Sequence, residues 1–142
     1  SEAVSKVKTD FLKLIKPYQV DLIGGLDARG FLFSTLIADA LGVGSFMIRK
    51  EGKLPGDVIS KEYELEYGVS KLSVKKNLDL KNKNIILIDD LLATGGTLKC
   101  AEDLVLFSKG TVVSSLVIIE LVALSGKDKL NSTVHSLLKY ET

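Results

Sequence analysis

The sequence predicts an α/β fold in which helices cover a mostly parallel sheet. Segments with the apolar spacing of amphipathic helices alternate with short apolar segments typical of buried strands along most of the chain. The clearest strand, residues 85–88, is a continuous apolar run, as expected of a parallel strand that is buried on both faces. With 142 residues the chain is long enough for a sizeable core, and we expect residues 1–142 to form one domain.

The first half of the chain predicts two helices and two strands. The elements are, in order, a helix at 3–15, a strand at 20–24, a loop at 25–30, a helix at 31–41 and a strand at 43–48. The first helix carries its apolar residues at helical spacing and stops before Pro17, which cannot continue a helix. Gly42 follows the second helix and suits the left-handed position that ends many helices.

The second half predicts a hairpin, two core strands, a helix and a final strand. The elements are a loop at 51–57, hairpin strands at 62–67 and 70–75, a strand beginning at 84, a helix from 98 to about 107, a strand at 111–122, a helical turn at 125–130 and a strand at 133–140. The hairpin alternates polar and apolar residues around Gly68, and we expect it to stand off the core. Long excursions in compact domains are often functional, so residues 51–75 are predicted to contain a lid, with 60–75 its main candidate.

The composition argues against several classes of protein. Hydrophobic residues make up 46% of the chain, so a disordered chain is not expected. The 19 basic and 18 acidic residues give a net charge of +1, which predicts neither a nucleic-acid partner nor a membrane partner. No apolar run is long enough to span a bilayer, and the polar start does not resemble a signal peptide. Cys100 is the only cysteine, so a reducing compartment, the cytoplasm, is expected.

Residues 84–99, NIILIDDLLATGGTLK, predict a phosphate site at one edge of the sheet. The strand runs into Asp89 and Asp90, and a Thr-Gly-Gly-Thr turn at 94–97 then begins a helix. In open α/β sheets, ligands bind at the carboxyl ends of the strands. Glycines let the backbone approach a ligand closely, and the free N–H groups at a helix N-terminus attract anions.

Two further loops are predicted to meet at the same edge. They bring Arg29, Arg49, Lys50, Lys53, Glu66 and Tyr67. The cations suit a second phosphate or a pyrophosphate, and adjacent acids suit two ribose hydroxyls or a Mg²⁺ carried by the substrate. Any one of these cations is equally compatible with a solvated surface charge. An acid-ended strand also occurs in P-loop ATPases, but their G-x-x-x-x-G-K-[ST] motif is absent here. The set is typical of a site for a sugar that carries phosphate at two places.

The same residues carry a resemblance to a known family. IILIDDLLATGGT resembles the phosphoribosyl diphosphate (PRPP) signature of the type I phosphoribosyltransferases. LIGGLDARGFLF, IRKEGKLPG, YELEYG and HSLLKYE are similar to segments of the adenine-using members, and the resemblance spans about residues 18–141. It implies a three-layer α/β fold with a mostly parallel central sheet and a flexible, β-hairpin-like catalytic loop.

The resemblance implies a purine salvage reaction in which adenine and PRPP give AMP and pyrophosphate. It further implies a homodimer and Mg²⁺ as cofactor, carried mainly by PRPP near Asp89, with no metal held directly by the protein. PRPP and AMP would bind through Asp89, Asp90, Ala93, Thr94, Gly95, Gly96 and Thr97. Pyrophosphate would bind through Asp27, Ala28, Arg29, Arg49, Lys50 and Lys53, with Arg49 reaching a neighbouring subunit's site. In the family the loop at 27–29 can hold a non-proline cis peptide bond.

The catalytic residues implied by the resemblance are Glu66, Tyr67 and Arg29. Glu66 would handle a proton on the purine ring, and Tyr67 would lie beside it on the flexible loop. The family also has an N-terminal hood over the base, and nothing resembling that hood precedes Ser1. Two alternatives therefore stay open at this point. One is a hoodless relative that binds PRPP or AMP as a sensor or partner subunit, and the other is the same transfer to another 6-substituted purine.

Overall fold

The computed structural model describes residues 1–65 and 68–141, which form three layers with a sheet in the middle. The elements are α1 (Glu2–Ile15), β1 (Leu22–Leu26), α2 (Gly30–Leu41), β2 (Gly44–Lys50), β3 (Val58–Leu65), β4 (Gly68–Lys75), β5 (Asn84–Leu92), α3 (Gly96–Phe107), β6 (Thr111–Leu121), two 3₁₀ turns (Val122–Leu124 and Gly126–Lys129) and β7 (Thr133–Tyr140). The strands lie in the order β3-β4-β2-β1-β5-β6-β7. The run from β2 to β7 is parallel, and β3 and β4 add an antiparallel hairpin at one edge. The predicted fold class is confirmed.

The central strand β5 is buried on both faces, as its unbroken apolar sequence predicts. Ile85 and Leu87 pack into the hydrophobic cluster on the α3 side of the sheet. Ile86 and Ile88 pack into the cluster on the α1 and α2 side. All four side chains are 0% exposed. Since burying one such side chain contributes roughly 1.5–3 kcal/mol, this strand anchors both layers of the core.

The helices cover the two faces of the sheet through their apolar stripes. On one face Phe11 and Ile15 of α1 pack with Phe33 and Ile37 of α2, and the rings of Phe11 and Phe33 meet edge to face at 6.3 Å. On the other face α3 supplies its apolar stripe, which consists of Leu98, Ala101, Leu104 and Val105. The predicted stop of the second helix at Gly42 is confirmed, because this glycine adopts the left-handed conformation. Among the described residues no helix is both long and apolar enough to cross a membrane.

The hairpin does not stand off the core, contrary to the sequence expectation. Leu72 and Val74 of β4 are 2% and 1% exposed and belong to the cluster beneath α3. β4 also pairs with the end of β2, with Ser73 opposite Arg49 and Leu72 opposite Lys50. The alternation in the hairpin sequence therefore indicates one buried face.

The acids lie in the carboxyl-terminal part of β5, where the sequence predicts them, and the strand continues two residues beyond them. β5 continues to Leu92 because β6 keeps pairing with it, with Val117 opposite Asp89 and Ile119 opposite Leu91. Asp89 and Asp90 consequently have the fixed backbone of a strand. Their positions are set by the sheet, and they reach the carboxyl edge where β5 projects beyond its neighbour β1.

Candidate functional site

A cleft of about 290 Å³ lies at the carboxyl edge of the parallel strands. One wall is a continuous stretch of chain, residues 89–98, which comprises the end of β5 and the first turn of α3. Asp27 and Lys50, at the ends of β1 and β2, contribute from the neighbouring strands, and Tyr63 and Leu65 contribute from β3. The convergence predicted for the three loops is thus present, because parallel strands end at the same edge.

The two acids of the cleft have different surroundings. Asp89 is 8% exposed, and its Oδ1 accepts a hydrogen bond from the backbone N–H of Asp90 at 2.8 Å. Burial, followed by the neighbouring side chain of Asp90, raises the pKa of Asp89 to about 8. Burial therefore favours the protonated form of Asp89, which can donate a hydrogen bond to a hydroxyl.

Asp90 faces the opening of the cleft. Its carboxylate lies 3.8 Å from Nη1 of Arg29, whose side chain is 84% exposed. An ion pair this exposed contributes roughly 0–1 kcal/mol, so Arg29 is free to exchange Asp90 for a stronger anion. Arg29, which is predicted to contact pyrophosphate, thus lies at the mouth of the cleft and is only weakly paired with Asp90.

The loop between β1 and α2 is held close to β5 and β2. The Asp27–Ala28 peptide bond is cis, as the family resemblance implies. Gly30 begins α2 so close to β5 that a Cβ atom there would lie 2.5 Å from the carbonyl oxygen of Ile88. The Asp27 carboxylate lies 3.4 Å from Nε of Arg49, and the Arg49 guanidinium lies 5.2 Å from the centre of the Phe31 ring. Asp27 is therefore oriented by a side chain of β2 from the same chain.

The turn at residues 93–97 has the form of an anion site. Gly95 has φ +90° and caps α3 without a side-chain hydrogen bond. The first turn of the helix reads Gly96-Thr97-Leu98-Lys99, which brings no carboxylate to the positive end of the helix dipole. Thr94 is exposed and Thr97 is half-buried, so the hydroxyls and the free N–H groups of this turn are open to a ligand.

Some predicted site residues are placed differently from the others. Lys53 is exposed in the loop after β2 and does not line the cleft. Arg49 contacts Asp27 and Phe31 and likewise does not line it. Glu66 and Tyr67 lie outside the described residues, so their roles stay predictions.

Three contacting residues were not predicted from the sequence. Tyr63 and Leu65 line the cleft from the inner face of β3, and their alternation with Glu62 and Glu64 was the available signal. Gly126 packs directly against the turn at 93–95, because a Cβ atom on Gly95 would collide with its carbonyl oxygen. Nothing local in the sequence reveals this last contact, which joins residues about thirty positions apart.

The acids of the cleft offer oxygen atoms to a metal that arrives with a ligand. In the described part of the chain, no three His, Cys, Asp or Glu side chains come together as a metal site. Asp89 and Asp90 supply carboxyl oxygens, which are the ligands that Mg²⁺ prefers. This donor set fits a cation that arrives with phosphates of its own.

Comparisons with known proteins agree with the motif and the fold. A family model described as a phosphoribosyl transferase domain matches residues 5–137. The adenine phosphoribosyltransferase of Drosophila pseudoobscura pseudoobscura is 50% identical over 122 residues, which are 86% of this chain and 67% of that protein. The crystal structure of the adenine phosphoribosyltransferase from Thermoanaerobacter pseudethanolicus is similar with a TM-score of 0.94 and 40% identity, over 98% of this chain and 81% of that chain. The Saccharomyces cerevisiae enzyme, crystallised with an imino-altritol bisphosphate and adenine, is similar with a TM-score of 0.86 and 38% identity, over 96% and 77% of the two chains.

Proposed function

The chain belongs to the phosphoribosyl transferase family, and we propose that it is an adenine phosphoribosyltransferase that converts adenine and PRPP into AMP and pyrophosphate. The observation that carries the proposal is that residues 89–98 form one wall of a single cleft. This wall joins an acid pair, which suits ribose hydroxyls, to an uncapped helix N-terminus, which suits a phosphate. The choice of adenine is supported by relatives named adenine phosphoribosyltransferase, among them the Drosophila protein at 50% identity.

We assign the 5′-phosphate of PRPP to the turn formed by Ala93, Thr94, Gly95, Gly96 and Thr97. Backbone N–H groups and Thr hydroxyls there would donate to the phosphate oxygens. Hydrogen bonds to a charged group contribute about 1.5–3 kcal/mol each, so several converging donors hold a phosphate firmly. Asp89 and Asp90, a few residues earlier on the same wall, would then bind the ribose hydroxyls.

We assign the pyrophosphate to the opposite wall, where Asp27, Ala28 and Arg29 meet Lys50. Arg29 is exposed and weakly paired, so it can turn from Asp90 to the departing anion. Lys53 would take part once the loop that carries it closes over the cleft. Arg49 is the family candidate for a contact to a neighbouring subunit's site, and in this chain it would first have to leave Asp27.

The reaction develops positive charge on the ribose and negative charge on the leaving pyrophosphate, and the site must stabilise both. Loss of pyrophosphate builds positive charge on the ribose ring, which the nearby carboxylate of Asp90 would stabilise. Mg²⁺, when bound with PRPP beside Asp89, would supply charge neutralisation for the leaving group. Glu66 is assigned the proton on the purine ring, with Tyr67 beside it, and these two roles come from the resemblance.

We further propose that the hairpin of β3 and β4 is the lid over this reaction. Tyr63 and Leu65 already line the cleft, and a Cβ atom on Gly96 would lie 3.7 Å from the carbonyl oxygen of Glu64. A lid that excludes water would protect the activated sugar from hydrolysis. The hairpin would keep its anchor to the core through Leu72 and Val74 of β4 during this closure.

A homodimer in the cytoplasm is the proposed state of the protein. Leu32 on α2 and Met47 on β2 are 51% and 43% exposed, and Met47 shares an apolar depression with Thr35 and Leu54. These exposed apolar groups would suit a contact with a second copy. Light scattering after size-exclusion chromatography tests this, and a mass of one chain at micromolar concentration would contradict it. The single buried thiol of Cys100 is compatible with a reducing compartment.

The direct test is the reaction with adenine, hypoxanthine and guanine side by side, each with PRPP and Mg²⁺. We expect AMP from adenine, with kcat/KM at least about 100-fold above the other bases, because unpaired polar groups penalise the wrong base. Absence of AMP at micromolar protein would contradict the proposal. PRPP binding without turnover would indicate a relative that binds PRPP as a sensor or partner subunit. Preference for another base would indicate the same transfer to another 6-substituted purine.

A further inference from the structure

The turn at residues 93–97 rests on a distant segment of the chain. A Cβ atom on Gly95 would collide with the carbonyl oxygen of Gly126, and a Cβ atom on Gly126 would collide with the carbonyl oxygen of Ala93. The position of a Cβ on Gly126 is also only 3.0 Å from the backbone nitrogen of Gly95. The two backbones therefore touch without side chains between them, and any shift of residue 126 would move the turn.

The segment that contains Gly126 is closed by its own backbone hydrogen bonds. The segment forms two short 3₁₀ turns, Val122–Leu124 and Gly126–Lys129, separated by Ser125, which has φ +52°. Backbone hydrogen bonds of 3.0–3.1 Å close these turns, from Ser125 to Val122 and from Asp128 to Ser125. Displacement of one end would therefore be transmitted to the other end.

Glu102 fixes the far end of this segment to α3. It lies in the second turn of the helix that begins at the cleft, and it is only 5% exposed. Its two carboxylate oxygens accept hydrogen bonds from the backbone N–H groups of Asn131 at 3.0 Å and Ser132 at 2.9 Å, and from the Ser132 hydroxyl at 2.5 Å. A buried carboxylate with three donors is a strong and directional anchor.

These contacts form a closed circuit. It runs from the turn at 93–97 through α3 to Glu102, then through Ser132 and the 3₁₀ turns to Gly126, and so back to the turn. We propose that Glu102 is a positioning residue for the 5′-phosphate of PRPP and AMP. It holds residues 131–132, these hold Gly126, and Gly126 keeps the backbone N–H groups of residues 94–97 aimed at the phosphate. The inference rests on the proposed function, which assigns the phosphate to this turn.

The test is Glu102→Gln, which keeps the size of the side chain but replaces one acceptor oxygen with a donor. We expect the KM for PRPP to rise about 10-fold, with kcat at saturating PRPP within about twofold and the KM for adenine unchanged. Ser132→Ala removes one of the three hydrogen bonds and should raise the KM for PRPP less, in the same direction. Glu102→Asp keeps the carboxylate and should recover part of the PRPP affinity lost in Glu102→Gln.

Glu120→Gln is the matched control. Glu120 is a buried carboxylate, 4% exposed, that accepts a hydrogen bond from the Ser136 hydroxyl at 2.9 Å and does not contact residues 122–132 by side-chain hydrogen bonds. Its replacement should lower the melting temperature and leave the KM for PRPP unchanged. An equal rise of the PRPP KM in Glu102→Gln and Glu120→Gln would show that Glu102 acts only through general stability, and it would overturn the proposal.

Calorimetric binding of AMP and adenosine separates the inference from the proposed function. The affinity ratio of AMP to adenosine measures the phosphate contribution in folded protein, and we expect Glu102→Gln to lower this ratio about 10-fold. An unchanged ratio and PRPP KM in this variant, or in Ser132→Ala if Glu102→Gln does not fold, would overturn the positioning role alone. Wild-type protein that binds AMP no better than adenosine would instead overturn the phosphate assignment on which the proposed function depends.

Discussion

Asp89 provides a quantitative test of the cleft, because its burial makes stability depend on pH. Its pKa in the folded protein is about 8, against an ordinary value of 3.8. Below about pH 4 the group is protonated in both the folded and the unfolded chain, and its contribution to stability is fully present. As the pH rises, the unfolded chain releases the proton first, so stability is lost until the pH passes the folded pKa near 8.

The size of the effect follows from the shift. Each pH unit between the two pKa values changes the free energy of unfolding by about 1.4 kcal/mol, so up to about 4 kcal/mol is lost between pH 5 and pH 8. Asn at position 89 cannot ionise, and its side-chain oxygen can still accept the backbone N–H of Asp90. The difference in unfolding free energy between Asp89→Asn and wild type should therefore grow in favour of the variant as the pH rises.

Urea unfolding at pH 5, 6, 7 and 8, with EDTA present to exclude divalent cations, measures this difference. The Asp90→Asn variant should show a shallower pH slope than wild type, because Asp90 contributes to the raised pKa of Asp89 while burial remains the largest cause. We expect the free energy of unfolding to fall most steeply with pH in wild type, less steeply in Asp90→Asn and least steeply in Asp89→Asn. Stability curves for wild type and Asp89→Asn that run parallel from pH 5 to pH 8 would refute the view that Asp89 is a buried, neutral carboxyl group.

Three further predictions concern binding and catalysis. Asp90→Asn should weaken PRPP binding about 10-fold or more in calorimetry, since it removes a charged partner of the ribose hydroxyls, and unaltered affinity would mean that the ribose is misassigned. Gly95→Ala should destabilise the protein by more than about 1 kcal/mol and raise the KM for PRPP, because the position has φ +90° and no space for a Cβ. In the control Gly52→Ala, a residue with φ +80° in open space, only the strain of the left-handed backbone conformation should lower stability. Glu66→Gln should lower kcat about 100-fold with PRPP affinity kept. The control Glu64→Gln, in β3, should leave kcat unchanged. An equal loss of turnover and affinity in Glu66→Gln would count against a proton-transfer role.

The sequence was sufficient for the parts of the fold that depend on local pattern. The apolar run at 85–88 predicts a strand buried on both faces, and its neighbours Asp89 and Asp90 predict the edge at which the cleft opens. Gly42 predicts the end of α2 because its role depends only on its own backbone conformation. In each case one segment contains the whole physical reason.

The errors arose where a second segment decides the outcome. The hairpin alternates in sequence as an exposed hairpin would, and only pairing with β2 and packing beneath α3 bury Leu72 and Val74. β5 extends to Leu92 because β6 pairs with it that far, and the sequence of β5 alone carries no information about this pairing. The support of Gly95 by Gly126 is invisible for the same reason, since neither glycine differs locally from any other turn glycine.

The placement of the cations shows the limit of reasoning from charge. Arg29, Arg49, Lys50 and Lys53 are equivalent as sequence features, yet they differ in the structure. Lys50 lines the cleft, Arg29 meets Asp90 at its mouth, Arg49 orients Asp27, and Lys53 is exposed on a loop. Long flexible side chains take the partner that the fold brings near them, and that partner is set by tertiary contacts.

A crystal structure of the protein with AMP tests the central assignment most directly. The account predicts the phosphate within hydrogen-bond distance of backbone N–H groups of residues 94–97, and the ribose hydroxyls beside Asp89 and Asp90. AMP bound with its phosphate away from this turn, or with its ribose out of reach of both acids, would contradict the account.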